Sequence, residues 1–151
     1  MMILTNVIVD IVDCKKLKYW RESDLFDWLS KNYYSLLVDT SDNFSKSDCY
    51  DIETKNRIEL KCRATHYDKL IIEKPKYEYL IKESKKFGDI PIYINSTPKG
   101  IYLFELKDLK LKWFEKPLPK TTDFENKNLT NKEVATININ KSKQLKKWRK
   151  H

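Results

Sequence analysis

The apolar positions fall into short, differently spaced groups, and each spacing predicts an element. Residues 3 to 12, rich in Ile and Val, predict a strand. In SDLFDWLSKNYY, Ser23 or Asp24 offers an N-cap, Asp27 lies near the first turn, and Leu25 and Leu29 recur four residues apart, which predicts a helix over residues 24 to 32. YYSLLVDT predicts a buried strand and SDNFSKSD a polar loop. KPKYEYLIKESKKFG has Pro75 early, Tyr77, Leu80 and Ile81 at helical spacing, lysines in its last turn and Gly88 just beyond, the end signals of a helix. DIPIYINS and GIYLFEL predict strands joined by the turn TPKG. From Lys116 the chain is turn-rich until VATININ, a possible last strand.

Between these elements lies CYDIETKNRIELKCR, residues 49 to 63, which predicts a hairpin. A turn at residues 54 to 56 sets Ile52 against Ile58, Tyr50 against Leu60, Glu53 against Arg57 and Asp51 against Glu59. A two-residue turn would put Ile52 against Glu59 and mix the faces. Opposed like charges are destabilising, so the Asp51/Glu59 pair needs a cation. Lys61, two positions along on the same face, is one candidate, and a divalent ion on the carboxylate oxygens is another.

Two readings of this face stay open. In one, it is the solvated side of an ordinary amphipathic ribbon, with Glu53 paired to Arg57 and Lys61 relieving the repulsion. In the other, Asp51, Glu59 and the Leu60 carbonyl hold Mg²⁺ (or Mn²⁺), which neutralises charge developing on a phosphorane-like transition state and lowers the pKa of a bound water. Lys61 then positions that water or stabilises a phosphate oxygen. Arg63, Lys74 and Lys76 would attract a nucleic-acid backbone, although lysines at a helix start are commonly just solvated.

Composition narrows the classes. The 151 residues are enough for one domain with a core. Two glycines leave no phosphate-cradling loop, and Cys14, Cys49 and Cys62 with two histidines, His66 among them, give neither a zinc pattern nor a disulfide framework. The N-terminal apolar stretch is too short and too interrupted to span a bilayer, so the expectation is a cytoplasmic protein with no membrane partner. The Lys, Asn, Ile and Tyr content hints at a low-GC microbe or its virus. The net charge is +8, and residues 141 to 151 hold Lys141, Lys143, Lys146, Lys147, Arg149 and Lys150 with no acid. The expected organisation is a domain over residues 1–140 and a basic C-terminal tail over 141–151. In that tail Lys146, Lys147 and Arg149 could lie on phosphates while Trp148 stacks on a base; an acidic membrane surface or plain solubility are the other uses.

Asp51, seven residues, then Glu59-Leu60-Lys61, set in the order helix, strand, strand, strand, helix, strand, resembles the PD-(D/E)xK nuclease superfamily. The segment from Asp51 to Asn95 is similar to small Holliday-junction resolvases and phage-type nucleases, and the resemblance extends over roughly residues 22 to 106. Tyr50 stands where the pattern has proline. The resemblance implies an α/β restriction-endonuclease-like core, an α-β-β-β-α-β mixed sheet flanked by helices. It also implies a Mg²⁺-dependent deoxyribonuclease acting on branched or structured DNA, with Asp51 and Glu59 on the metal and Lys61 assisting the water. The family often adds a metal-orienting acid from the first helix, for which Glu22, Asp24 and Asp27 compete, with Glu22 preferred. A junction cutter would be a homodimer. E-x-K alone recurs at Glu53, Glu83, Glu105 and Glu125, and Glu59 is preferred because a helix and a further strand follow it. Two other expectations compete: a non-catalytic nucleic-acid-binding module, and a small phage-type protein-interaction or inhibitor protein.

Overall fold

The computed structural model describes residues 19–40, 48–120 and 128–147. The strand expected over residues 3 to 12, Cys14, Trp148 and Arg149 lie outside them. The described order is α1 (Glu22–Asn32), β1 (Leu37–Asp39), β2 (Cys49–Asp51), β3 (Asn56–Cys62), β4 (Lys69–Glu73), α2 (Lys74–Phe87), β5 (Ile90–Thr97), β6 (Gly100–Glu105), β7 (Phe114–Pro119), β8 (Leu129–Asn138), a 3₁₀ turn (Ile139–Lys141) and β9 (Lys143–Lys147).

Six strands form one mixed sheet in the order β1-β2-β3-β5-β6-β9, and β4, β8 and β7 form a second. Among the described strands β3 and β5 are the parallel pair, Ile58 opposite Ile92 and Lys61 opposite Asn95. They are joined through β4 and α2, because parallel neighbours need a crossover. The α/β core with a mixed sheet flanked by two helices is therefore as the sequence predicts.

Alternation along the strands sorts side chains onto two faces. Ile58, Leu60, Ile92, Ile94, Ile101 and Leu103 face α1, where Leu25 and Leu29 complete a buried cluster. On the other face Tyr93, Tyr102 and Phe104 pack against Leu80 of α2 and against Leu70, Ile72, Ala135 and Ile137 of the second sheet. That second cluster covers β5 and β6. At β3 the same face carries Glu59, Lys61 and Arg63 instead of apolar side chains, and the second sheet stands off to leave a pocket there.

The helix over Lys74–Phe87 runs as its end signals predict, with Pro75 in its first turn and Gly88 in the left-handed conformation (φ 72°) as its C-cap. The first helix begins at Glu22, because Asp24 reaches back and accepts from the Arg21 amide at 2.8 Å. Strands β4 and β7 have weaker sequence signals. β4 is five residues long and runs directly into α2, and β7 contains Pro117 and Pro119. β7 is an edge of its sheet, where proline costs no ladder bond.

The hairpin register corrects the predicted one. Cys49 pairs with Ile58, Tyr50 with Arg57 and Asp51 with Asn56, a shift of three positions. The turn spans Ile52 to Lys55, with Lys55 at φ 58°. Asp51 stabilises this longer turn by accepting from the Thr54 amide at 2.9 Å and the Thr54 hydroxyl at 2.7 Å. Cys49, fully buried, takes the apolar place foreseen for Ile52, which is exposed. Arg57 pairs with Asp89 at 2.9 Å instead of with Glu53, which accepts from the Ser35 hydroxyl.

Within the stretch expected as a basic tail, residues 143–147 form a strand. Lys143–Lys147 is β9, paired antiparallel to β6, with Leu145 packed on the α1-side core. Its lysines suit an outer strand, since charge there discourages pairing with other chains.

A candidate active site on strand β3

One residue beyond the Cys49–Ile58 pair, the hairpin register sets Asp48 opposite Glu59. The Asp48 amide donates to the Ile58 carbonyl at 3.1 Å, and its carboxylate accepts from the Leu60 amide at 2.7 Å. In an extended strand a residue's N–H and C=O leave on the same edge, so the Leu60 carbonyl points toward Asp48 too. The Asp48 carboxyl group is close enough to Glu59 to raise its proton affinity. Lys76, from the first turn of α2, binds Glu59 Oε1 at 2.9 Å.

The carboxyl groups here hold protons more tightly than free ones. Burial, then the Asp48 charge, pushes Glu59 up to about 7 even against Lys76. Burial raises Asp48 as well. Glu22, at the start of α1, is raised by desolvation of its carboxyl group and then by the charge of Asp48. Lys61 is lowered, first by burial and then by the positive charges of Lys76 and Arg63, while Glu22 pulls the other way. At Lys76 burial works to lower the pKa, and the Glu59 carboxylate outweighs it. Glu22, Asp48, Glu59, Lys61 and Lys76 thus form one electrostatically linked group drawn from two helices, strand β3 and the residue that leads into β2.

Several sequence-predicted residues meet here and others do not. Glu59, Lys61, Leu60 and Glu22 converge, joined by Lys76. Asp51 does not join them: fully buried, it accepts from the Leu36 amide at 3.1 Å and from Thr54, as a turn-building residue. Asp48 stands where Asp51 was expected, because the turn is one residue longer and displaced. Its place at the end of a polar loop hid it. Asp24 is occupied at the helix start and Asp27 is exposed. Arg63 lies beyond Lys61 on the same face, its guanidinium donating to Asn95 Oδ1 at 2.8 Å, the Ile71 carbonyl at 2.5 Å and the Tyr93 hydroxyl at 3.1 Å. Lys74 is engaged by Glu133 at 3.1 Å. Lys146 and Lys147 lie on β9, three strand spacings or about 14 Å from β3. His66 sits between the Thr97 hydroxyl and Asp68, away from the group.

The backbone arrangement has a solved counterpart. The fold is that of a resolvase. The structure of Hjc, a Holliday junction resolvase from the archaeal hyperthermophile Archaeoglobus fulgidus, superposes with a TM-score of 0.51 at 18% identity, over 78% of this chain and 80% of that one. At this identity the likeness concerns the fold. The sequence matches no protein-family model and no curated protein.

Resolvase-like folds imply a divalent metal, and the residues can be tested for it. Among the described residues no three His, Cys, Asp or Glu side chains are grouped closely enough to hold an ion together. The donor set nevertheless suits a hard cation. Two carboxyl groups stand opposite each other with Lys76 as the cation at ion-pair distance among the described residues, a backbone carbonyl is directed to the same spot, and the Asp48 charge is felt at Glu22. Oxygen donors of this kind are what Mg²⁺ and Mn²⁺ select.

Proposed function

We propose that the chain is a metal-dependent nuclease that hydrolyses phosphodiester bonds in branched DNA. The observation that carries this reading is the juxtaposition of Asp48, just before β2, with Glu59 on β3, and Lys61 two residues along, in a resolvase-like fold. Asp48, Glu59 and the Leu60 carbonyl would hold Mg²⁺ or Mn²⁺, with Glu22 orienting the shell. Such an ion supplies Lewis-acid stabilisation and a lowered water pKa.

The chain's own residues do the rest. Lys61 lies beside Glu59 without a carboxylate at ion-pair distance among the described residues, so its ammonium is available to a non-bridging phosphate oxygen or to the attacking water. Its lowered pKa eases proton exchange with that water. Lys76 neutralises Glu59 at 2.9 Å and would become available to the DNA backbone if a bound cation took over that carboxylate. Arg63, pinned by neutral acceptors, keeps its full charge for a neighbouring phosphate. Cutting both strands at a four-way junction needs two opposed sites, so the active form would be a twofold dimer.

The test is divalent-ion-dependent cleavage of labelled single-stranded, duplex, flap and four-way-junction DNA, with Glu59→Ala alongside. Cleavage by the wild type alone is expected. A wild type inert on every substrate with Mg²⁺ and Mn²⁺ overturns the reading.

A further inference from the structure

Beside Glu59 and Lys61 the gap between the six-stranded sheet and the β7–β8 hairpin forms a pocket of about 200 Å³. Its walls differ. Glu59, Lys61 and Arg63 with Lys76 of α2 make it charged on one side, and the second sheet lines it with Leu118 and Pro119 of β7, Ile71 of β4 and the Glu73–Lys132 ion pair.

The charges do not balance. Of the four cations lining the pocket, Lys76 is matched by Glu59 at 2.9 Å and Lys132 by Glu73 at 2.8 Å. Lys61 has no carboxylate at ion-pair distance among the described residues, and Arg63 is held by an amide oxygen, a carbonyl and a hydroxyl. The pocket therefore carries an excess of two positive charges, four cations against Glu59 and Glu73, beside the apolar Leu118, Pro119 and Ile71. The wall is fixed in place: Leu118 pairs with Thr130 and Pro119 with Leu129 across the hairpin, and the two prolines restrict β7 further.

A ligand matching this lining has one anionic group and one flat apolar group within a volume too small for most cofactor-sized molecules, whose sites span about 300 Å³ and more. We propose that the pocket receives a single unpaired nucleotide of the substrate strand next to the cleaved phosphate, its phosphate on Lys61 and Arg63 and its base against Leu118, Pro119 and Ile71. A stacked base pair cannot enter such a pocket, so the substrate must offer a nucleotide already out of the helix or cheaply removed from it, as at a branch, flap or end. This rests on the nuclease reading and sharpens it: the branch would be recognised by its displaced nucleotide, one step from the metal-binding carboxylates.

The experiment uses the full chain in EDTA, with fluorescence anisotropy on a labelled hairpin DNA carrying either a blunt end or a one-nucleotide flap. The wild type should bind the flap about tenfold tighter, the order expected from burying one base face against apolar side chains. Leu118→Trp and Pro119→Trp, each filling the pocket from the β7 side, should abolish the preference and leave blunt-end binding unchanged. Pro119 is exposed on the hairpin, so its variant tests the pocket even where Leu118→Trp does not fold. Equal wild-type affinity for both DNAs, or a preference that survives Pro119→Trp, overturns the assignment. Because no metal or cleavage is involved, the two readings fail separately. A flap preference without cleavage removes the nuclease and leaves the pocket, and cleavage without the preference does the reverse.

Discussion

Asp48 stands opposite Glu59 at the start of the β2–β3 hairpin, its carboxylate accepting from the Leu60 amide at 2.7 Å while Lys76 holds Glu59 at 2.9 Å. A half-buried and a buried carboxyl group placed in this way are under electrostatic load unless a cation or a proton relieves it.

The first prediction is a pH dependence of stability. Glu59 is raised from the ordinary glutamate range to about 7, and Asp48 and Glu22 are raised as well. Between about pH 4.5 and 7 the folded state therefore binds more protons than the unfolded state, and stability falls as pH rises through this window. Thermal melts of the metal-free protein should show the decline, and Glu59→Gln should flatten it. Glu73, lowered by Lys132 despite burial, acts oppositely but only at more acidic pH.

The same load predicts metal-linked stabilisation. At pH 8 the carboxyl pair is least protonated, so Mn²⁺ should raise the melting temperature of the wild type there. At a hundredfold excess over its dissociation constant the gain is about 2.7 kcal/mol. It should shrink toward pH 5, where protons compete, and vanish in Glu59→Gln.

Asp51 has a structural assignment with its own signature. Its carboxylate accepts three hydrogen bonds while fully buried, so Asp51→Ala should destabilise by about 3 kcal/mol, within the usual cost of orphaned buried donors. Urea denaturation measures it. Asp48→Asn, which removes a charge from a crowded pair, should be neutral or stabilising by the same measurement.

The pairing of β9 is tested at Gly100. A Cβ there would sit 2.3 Å from the Lys146 carbonyl oxygen and 2.9 Å from Gln144 Nε2. Since the nearer contact is backbone, β9 has to move, and Gly100→Ala should destabilise by about 1 to 3 kcal/mol. Were residues 143–147 a free tail, the change would cost nothing in the same urea titration.

Much of this molecule is legible in its sequence for identifiable reasons. The helix over Lys74–Phe87 carries a proline at its start and a glycine at its end, and the β3, β5 and β6 strands are long alternating or apolar runs, so local chemistry suffices. Glu59, Lys61 and Glu22 could be picked out because they lie on or beside these strong elements. The hairpin register could not, because it turns on Asp51 bonding to Thr54 and on a buried cysteine in the place foreseen for isoleucine. Asp48 was concealed by that same shift. Strands β4 and β9 owe their structure to pairing partners distant in sequence, and β7, which pairs with its chain neighbour β8, carries two prolines that do nothing to advertise a strand.

The most direct measurement is cleavage of a labelled four-way junction with Mg²⁺ or Mn²⁺ by the wild type, Asp48→Asn and Asp51→Asn, each assayed below its own melting temperature. Asp48→Asn should lose at least about a hundredfold in rate, the usual scale for removing a group that stabilises the transition state, while Asp51→Asn retains activity. Loss in Asp51→Asn with activity kept in Asp48→Asn would contradict the role proposed for Asp48 and return the metal-binding role to the turn residue.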